Sequence, residues 1–177
     1  MGVRLFVAVW PPDAVVEAIA GLPRPGPAEV ANVRWEPAER WHVTLRFLGV
    51  ANEADVGPLA TALLDAPLRP TGAVVGPGVE ALGRHVLGLP VAGLDGLATD
   101  AAAATARVAA PDEGRPFRGH LTLARIRDGR ARRLARLMAD ARVDASFPVT
   151  GVSLMRSDSG PDGPHYEEVA MRPLPVA

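Results

Sequence analysis

The sequence predicts an α+β fold in which two similar lobes face each other. Of its 177 residues, 48% are apolar and none is cysteine, and a chain of this length buries enough surface to hold a core without disulfides or a structural metal. Strand-like and helix-like segments follow each other without the regular period of βαβ units, which favours α+β over a doubly wound sheet. In addition, the segment His-Val-Thr-Leu at 42–45 recurs as His-Leu-Thr-Leu at 120–123. This repeat predicts two lobes, one centred on each copy.

Apolar periodicity, together with Gly and Pro breakers, predicts the elements in order. A strand at Val3–Trp10 ends at two prolines, and a helix follows over Asp13–Leu22. The later elements are predicted as extended segments at Val33–Trp35 and Trp41–Gly49, a helix over Asn52–Ala66, a hairpin of Val74–Leu82 and Arg84–Leu89 around Gly83, a helix over Leu94–Val108, a strand at Phe117–Ile126, a helix over Arg130–Ala141, and a strand pair of Phe147–Met155 and His165–Arg172. Ser-Gly-Pro-Asp-Gly-Pro at 159–164 predicts the turn of that last pair.

Charge and composition exclude several classes of function. The 19 basic and 20 acidic residues give a net charge of −1, which is too balanced for a protein that coats nucleic acid. All basic residues are arginine, which excludes Schiff-base chemistry and a P-loop lysine. No run of about 18 uncharged apolar residues occurs, and the N-terminal apolar stretch lacks the features of a signal peptide. We therefore expect a cytoplasmic protein that does not cross a membrane.

The segment 41–49 alternates polar and apolar residues with the period of a half-buried strand. His42, Thr44 and Arg46 fall on one face, and Val43 with its alternate neighbours on the other. Residues two apart on a strand stand on the same face about 6.6 Å apart. Each His-x-Thr therefore presents an imidazole beside a hydroxyl.

Two such strands at one pocket would supply the groups needed for displacement at phosphorus. An imidazole titrates with a pKa of about 6.5, so one ring can act as base while another, beside an anion, stays protonated as acid. One ring would take a proton from water and the other would protonate the leaving alkoxide, while threonine hydroxyls donate to the non-bridging oxygens. A single His-x-Thr is most often a solvent-facing pair. Core packing explains the apolar residues of the repeat but not its polar ones.

The chain resembles the RNA 2′,3′-cyclic phosphodiesterase family, also called the 2′-5′ RNA ligase family, of the two-histidine phosphoesterases. Four segments carry the resemblance over nearly the whole chain: Arg-Leu-Phe-Val-Ala at 4–8, Trp-His-Val-Thr-Leu-Arg-Phe-Leu-Gly at 41–49, Phe-Arg-Gly-His-Leu-Thr-Leu-Ala-Arg at 117–125, and Leu-Met-Arg-Ser at 154–157 with Gly-Pro-His-Tyr at 163–166. Such proteins commonly have Pro at the position of Gly119 and Leu at that of Ser159, so these two positions depart from the pattern.

The resemblance implies a bilobed fold with two antiparallel sheets related by a pseudo-twofold axis, helices on their outer faces, and a central cleft. The whole chain, 1–177, would be one domain of two interleaved lobes. The resemblance also implies hydrolysis of RNA or nucleotide 2′,3′-cyclic phosphate ends to a 2′-phosphate without a metal or cofactor. It places catalysis on His42 and His120, and phosphate binding on Thr44 and Thr122. In this scheme His120 activates water and His42 protonates the 3′-oxygen.

Two further properties complete the expectation. By microscopic reversibility, the same site would make a 2′-5′ linkage weakly in the presence of a 5′-hydroxyl RNA end. We expect a monomer without an obligate protein partner. The alternative function is a non-catalytic module that binds RNA ends or nucleotides in the same cleft.

Four more residues are candidate substrate contacts. Arg46 shares the alternation of the first motif, although a solvated Arg at a strand end fits the pattern equally well. Arg125 has the wrong parity on its strand and reaches the cleft only if a bulge intervenes or the strand has ended. Phe117 fits either base stacking or the core. Tyr166 follows a tight turn, where a surface loop is the favoured interpretation and a cleft rim the alternative. For Phe47, the alternation favours the core.

The remaining signals favour ordinary roles. His85 is interpreted as a plain strand residue and His165 as part of a surface loop, and the four histidines lack the close spacing of a zinc site. Seven arginines against two aspartates make 125–142 the one strongly basic stretch. A solvated helix face is slightly favoured there over an RNA-backbone footprint.

Overall fold

The computed structural model describes residues 2–26, 29–109, 116–160 and 163–176. Within these ranges the chain forms ten strands and four α-helices. In chain order they are β1 Gly2–Val9, α1 Asp13–Ala20, β2 Val33–Trp35, β3 Val43–Asn52, α2 Val56–Leu64, β4 Gly72–Val75, β5 Glu80–Leu82, β6 Val86–Ala92, α3 Asp95–Thr105, β7 His120–Ile126, α4 Ala131–Leu137, β8 Ala145–Pro148, β9 Gly151–Gly160 and β10 Gly163–Pro173.

All strand pairs are antiparallel, and they form two groups that meet at one point. The first group has the order β10-β9-β1-β3, and the second has the order β7-β6-β4-β8, with β2 beside β7 and β5 beside β6. The groups join where Val43 of β3 pairs with Leu121 of β7. The structure confirms the predicted α+β class, with a strongly curled antiparallel sheet.

The helices cross between the two strand groups. Helices α2 and α3 pack against β3, β9 and β10 of the first group, whereas α1 and α4 pack against β5, β6 and β8 of the second. Each group is therefore covered by helices from both halves of the chain. This exchange ties the two groups together.

Gly and Pro set most of the boundaries that differ from the predicted ones. The predicted strand at 74–82 is split into β4 and β5, because Gly76-Pro77 interrupts it and Pro has no N–H for the ladder. Helix α2 has Gly57 and Pro58 in its first turn, as expected. The final hairpin of β9 and β10 forms as predicted, although Pro161 and Asp162 of its turn lie outside the described residues.

One large apolar core runs through the interior, and a smaller apolar cluster lies apart from it. Phe6, Ala8 and Met155 make up this small cluster, and Trp10 and Tyr166 pack against it. In the part of the chain that is described, no helix is long and apolar enough to cross a bilayer.

Candidate active site

The two His-x-Thr motifs meet at the junction of the strand groups. Val43 and Leu121 form an antiparallel pair and are both fully buried. The residues that flank this pair point to the opposite face, so His42 and Thr44 share that face with His120 and Thr122. Diagonal neighbours across regular antiparallel strands lie about 7–8 Å apart, so the two histidines occupy adjacent diagonal positions on this face.

A β-bulge follows each motif at the same place. Between β1 and β3 the register shifts at Leu45, and between β6 and β7 it shifts at Leu123. Each bulge turns two successive residues toward the buried side. The residue five positions after each histidine therefore returns to the cleft. That residue is Phe47 in β3 and Arg125 in β7.

The bulges determine on which side of the sheet three of the candidate residues lie. Phe47 lies on the cleft wall with 67% of its surface exposed, which corrects its assignment to the core. Arg125 reaches the cleft because a bulge does intervene. Arg46 is buried on the other side, where its guanidinium donates to the carbonyl of Ala102 and, at 2.7 Å, to the hydroxyl of Thr105 in α3. Both expectations for Arg46, a cleft contact and a solvated strand end, are therefore corrected.

The motifs lie on the wall of a cleft of about 680 Å³. All four motif side chains line it, together with Tyr166 of β10. Its further polar lining comes from Arg4, Glu36, Arg40, Arg125, Ser157 and Ser159, and its apolar lining from Leu5, Phe6, Phe47, Val50, Leu82, Val86 and Pro164. A lining that mixes polar and apolar side chains suits a ligand that has both an anionic group and an aromatic or sugar ring.

The two histidine rings are held in the same way. Nδ1 of His42 lies 2.8 Å from the carbonyl oxygen of Arg40, and Nδ1 of His120 lies 2.8 Å from that of Arg118. A carbonyl oxygen only accepts hydrogen bonds, so Nδ1 carries the proton in both rings. Nε2 is then the nitrogen that can take or give a proton in the cleft.

An aromatic shell surrounds His42. Its ring stacks on Phe6 with 5.0 Å between centroids, and it also contacts Trp10 at 5.1 Å and Tyr166 edge-on at 5.2 Å. Burial in this shell lowers the pKa of His42 to about 4, although the hydrogen bond to the Arg40 carbonyl works in the opposite direction. The electrostatic effect of His120 lowers this pKa further, as expected for two imidazoles that share one pocket.

The model of the LigT-like phosphoesterase family matches residues 9–75 and 87–166 of the chain. The chain belongs to this family. The sequence resemblance to the two-histidine phosphoesterases is thereby confirmed. Residues 76–86, which include β5 and the turn at Gly83, lie outside the match.

Solved structures agree with the family assignment. The TT0787 protein of Thermus thermophilus is 26% identical, with 97% of each chain covered and a TM-score of 0.72. The apo form of E. coli LigT is 26% identical, with 98% of each chain covered and a TM-score of 0.69. A complex of E. coli LigT with 3′-AMP has the same fold, at 24% identity, coverage of 98% of this chain and 99% of that one, and a TM-score of 0.73. The comparison with curated proteins finds no match.

In this LigT-like phosphoesterase, a buried carboxylate lies beside the motifs. Glu36 follows β2 and is 4% exposed. Its Oε1 accepts from Nη2 of Arg34 at 3.1 Å and from Nε of Arg125 at 2.9 Å, and its Oε2 lies 3.7 Å from Nη1 of Arg40. Sequence analysis missed Glu36 and Arg40. A signal for Glu36 was available in the sequence. It stands between Arg34 and Arg40 and directly before Pro37, and a proline keeps the residue before it extended.

Of the other candidate functional residues of the sequence analysis, only Tyr166 lies in the cleft. Tyr166 belongs to β10 and contacts His42, so the surface-loop interpretation does not hold for it. Phe117 packs against the main core and does not line the cleft. His85 and His165 are exposed, and neither lines the cleft. The arginines of α4 at 132, 133 and 136 are exposed and lie outside the cleft lining.

Proposed function

We propose that this LigT-like phosphoesterase hydrolyses 2′,3′-cyclic phosphate ends of RNA or nucleotides to 2′-phosphates. Water attacks phosphorus as Nε2 of His120 takes its proton. The bond between phosphorus and the 3′-oxygen breaks, and that oxygen takes a proton from Nε2 of His42. The product carries a 2′-phosphate and a 3′-hydroxyl. Proton exchange with solvent then returns both rings to their starting states.

One observation carries this proposal: both histidines and both threonines flank a single cross-strand pair and line one cleft. Two imidazoles with fixed Nδ1 protons supply an acid and a base at opposite sides of a phosphate. The hydroxyls of Thr44 and Thr122 can donate to its non-bridging oxygens, where negative charge is held. Because one chain supplies all four groups, the proposed reaction needs no residue from a second copy, and because these groups provide acid, base and charge stabilisation, it needs no Lewis acid.

The acid role of His42 requires a proton that the free protein does not hold at neutral pH, since burial lowers the pKa of the ring to about 4. A bound phosphate anion beside the ring favours its charged form and raises that pKa. In this proposal, substrate binding takes up the proton that the departing 3′-oxygen later receives. The aromatic shell keeps His42 neutral until an anion arrives.

The apolar lining supports a nucleoside as the remainder of the substrate. Phe47 presents an exposed ring to the cleft, and nucleobases stack on such rings with little dependence on sequence. E. coli LigT has been solved in complex with 3′-AMP, a nucleotide with phosphate on the ribose. Weak joining of a 2′,3′-cyclic end to a 5′-hydroxyl end is the reverse of the same chemistry and is part of the proposal.

The deciding experiment is turnover of a nucleoside 2′,3′-cyclic phosphate by the purified protein, with the product identified by phosphorus NMR. We expect a 2′-phosphate, and we expect the His42→Ala,His120→Ala double variant to form none. A 3′-phosphate product would reject the proposed polarity of the site. Tight binding without turnover would instead support the non-catalytic module.

A further inference from the structure

Arg46 of β3 is a buried arginine that the proposed mechanism does not use. Only 4% of its surface is exposed. Among the described residues, Glu36 is the one other charged side chain that is buried to this degree. A buried charge is costly unless hydrogen bonds compensate for its loss of water. An arginine at this position therefore indicates that its hydrogen bonds serve a specific role.

The guanidinium of Arg46 binds the C-terminal end of α3. It donates to the carbonyl of Ala102 and, at 2.7 Å, to the hydroxyl of Thr105. Thr105 is fully buried and in turn donates to the carbonyl of Ala101 at 2.7 Å. The last four carbonyls of a helix have no partner within it, and the negative end of the helix dipole favours a cation there. Helix α3 has no basic residue in its last turn, so β3 supplies the cation.

The bulge at Leu45 turns Arg46 toward α3. Leu45 and Arg46 are consecutive buried residues of β3, because the register with β1 shifts at this point. On a regular strand, Arg46 would share the cleft face with Thr44, and Phe47 would point to the core. The burial of Arg46 and the exposure of Phe47 in the cleft are thus two consequences of one bulge.

The second motif strand shows what Arg46 adds. At the equivalent bulge of β7, the two consecutive buried residues are Leu123 and Ala124. A bulge at this place therefore forms without a charged residue. Arg46 adds a hydrogen-bonded connection between the bulge and a helix, which the side chain of Ala124 cannot make. A slip of one residue in β3 would carry the guanidinium away from α3, so this connection holds the register of the strand.

We propose that Arg46 is a positioning residue for the phosphodiesterase reaction. Its hydrogen bonds to α3 hold the bulge at Leu45, and the bulge sets where Thr44 and Phe47 stand in the cleft. This inference rests on the proposed function, in which Thr44 donates to the phosphate and Phe47 stacks on the base. Arg46 does not line the cleft, so it acts only through these two neighbours.

The first test removes the hydrogen bonds and keeps the packing. Arg46→Met fills a similar volume without a donor, and we expect kcat/KM for a nucleoside 2′,3′-cyclic phosphate to fall by about 10–100-fold, as for a small misplacement of reacting groups. Arg46→Lys keeps a charged donor and should recover part of the loss. Thr105→Val removes one acceptor and should show a smaller loss, and it replaces Arg46→Met in every comparison if that variant does not fold. Wild-type kcat/KM in both Arg46→Met and Thr105→Val would overturn the proposal.

A double-mutant cycle separates positioning from general stability. The background Thr44→Ala,Phe47→Ala lacks the two side chains that Arg46 is proposed to position. In this background Arg46→Met should change kcat/KM by about twofold or less, because the groups through which it acts are absent. All variants are compared at a temperature at which circular dichroism shows them to be folded. A loss as large as in the wild-type background would contradict the proposal, since Arg46 would then act through the fold as a whole.

Arg69→Met is the matched control. Arg69 also binds α3, through the carboxylate of Asp100 at 2.8 and 2.9 Å and the carbonyl of Gly96 at 3.3 Å. It precedes β4 and belongs to neither motif strand, so Arg69→Met should retain the kcat/KM of the wild type. An equal loss in Arg69→Met and Arg46→Met would show that any loosening of α3 lowers the activity, and the positioning role of Arg46 would be rejected.

Binding separates this inference from the proposed function. Calorimetry with adenosine 2′-monophosphate needs no turnover, and we expect Arg46→Met to weaken its binding about tenfold and Arg69→Met to leave it unchanged. If cyclic phosphates are not hydrolysed but this binding pattern is present, the proposed activity fails and the positioning role stands. If cyclic phosphates are hydrolysed but Arg46→Met matches the wild type in both kcat/KM and affinity, the positioning role fails and the proposed activity stands.

Discussion

The first and second motif strands have the same backbone design but different surroundings. In each, the histidine donates Nδ1–H to the carbonyl two residues earlier, and a bulge follows the threonine. His42 is enclosed by three aromatic rings. Among the described residues, no aromatic ring contacts His120. The two histidines therefore differ in their surroundings, since an aromatic shell encloses His42 alone among the described residues.

The residue after each bulge extends this contrast. The first strand presents the ring of Phe47, and the second presents the guanidinium of Arg125 at the equivalent position. The backbone repeat thus places two imidazoles symmetrically, and the side chains around them remove the symmetry. A substrate with an aromatic end and an anionic end would bind such a cleft in one direction. The direction of binding in turn decides which histidine meets the leaving group.

The strongest test of this asymmetry is to remove each histidine in turn. We expect His42→Ala and His120→Ala each to lower kcat for a nucleoside 2′,3′-cyclic phosphate by about 10²–10⁴-fold. An activated aryl phosphodiester has a weakly basic leaving group that needs little acid assistance. On that substrate kcat should fall much less in His42→Ala, whereas in His120→Ala it should fall as much as it does for the cyclic phosphate.

The comparison is made by steady-state kinetics on both substrates with the same protein preparations. The reverse pattern would exchange the roles of the two rings. Equal losses on both substrates for both variants would contradict a division into acid and base.

A second test concerns the aromatic shell through its effect on stability. The pKa of His42 is about 4 in the folded protein and about 6.5 in an unfolded chain. Below pH 6.5 the unfolded chain binds a proton that the folded protein does not. The stability that the neutral His42 ring contributes to the folded protein is therefore fully present above pH 6.5 and is lost as the pH falls toward 4. Its size is about 3 kcal/mol at most.

Urea unfolding at pH 7 and pH 4 measures this loss. We expect the free energy of unfolding of wild type to fall by about 3 kcal/mol more than that of His42→Phe, which keeps the ring packing but cannot titrate. The control variant His165→Gln removes an exposed imidazole but keeps His42, so its free energy of unfolding should fall as far as that of the wild type. An identical fall in wild type and His42→Phe would show that folding does not lower the pKa of His42.

Sequence could predict the motifs and the fold class because both depend on local patterns. The alternation around His42 and His120 indicates strands, and the repeat indicates two lobes. The bulges at Leu45 and Leu123 could not be predicted, since a bulge depends on the register with neighbouring strands. For this reason simple alternation assigns Phe47 to the core and Arg46 to the cleft, the reverse of the structure. The role of Glu36 is only partly visible in the sequence, because Arg34 and Arg40 are its neighbours along the chain but Arg125 comes from the second motif strand.

A third test asks whether Phe47 binds the base. Stacking of a nucleobase on an aromatic ring is worth about 1–3 kcal/mol, so Phe47→Ala should raise KM for a cyclic mononucleotide about tenfold, with a smaller change in kcat. For a cyclic phosphate without a base, such as glycerol cyclic phosphate, KM should change little. Leu137→Ala removes another exposed apolar side chain, on α4 and away from the cleft, and should leave both values unchanged. A similar rise in KM for both substrates would exclude stacking.

The smallest expected effect is that of a chelator. The two histidines supply the acid and the base, and the two threonines supply donors for the charged oxygens, so both halves of the cleft contribute without a Lewis acid. We expect kcat/KM for a cyclic mononucleotide to be the same in excess EDTA and after the EDTA is replaced by Mg²⁺. A mononucleotide is the right substrate, because an RNA chain itself binds divalent cations. The effect of the cation on RNA folding would then be mixed with any effect on catalysis. Loss of activity in EDTA that a divalent cation restores would indicate a metal phosphoesterase, in which the two histidines hold an ion rather than exchange protons with the substrate.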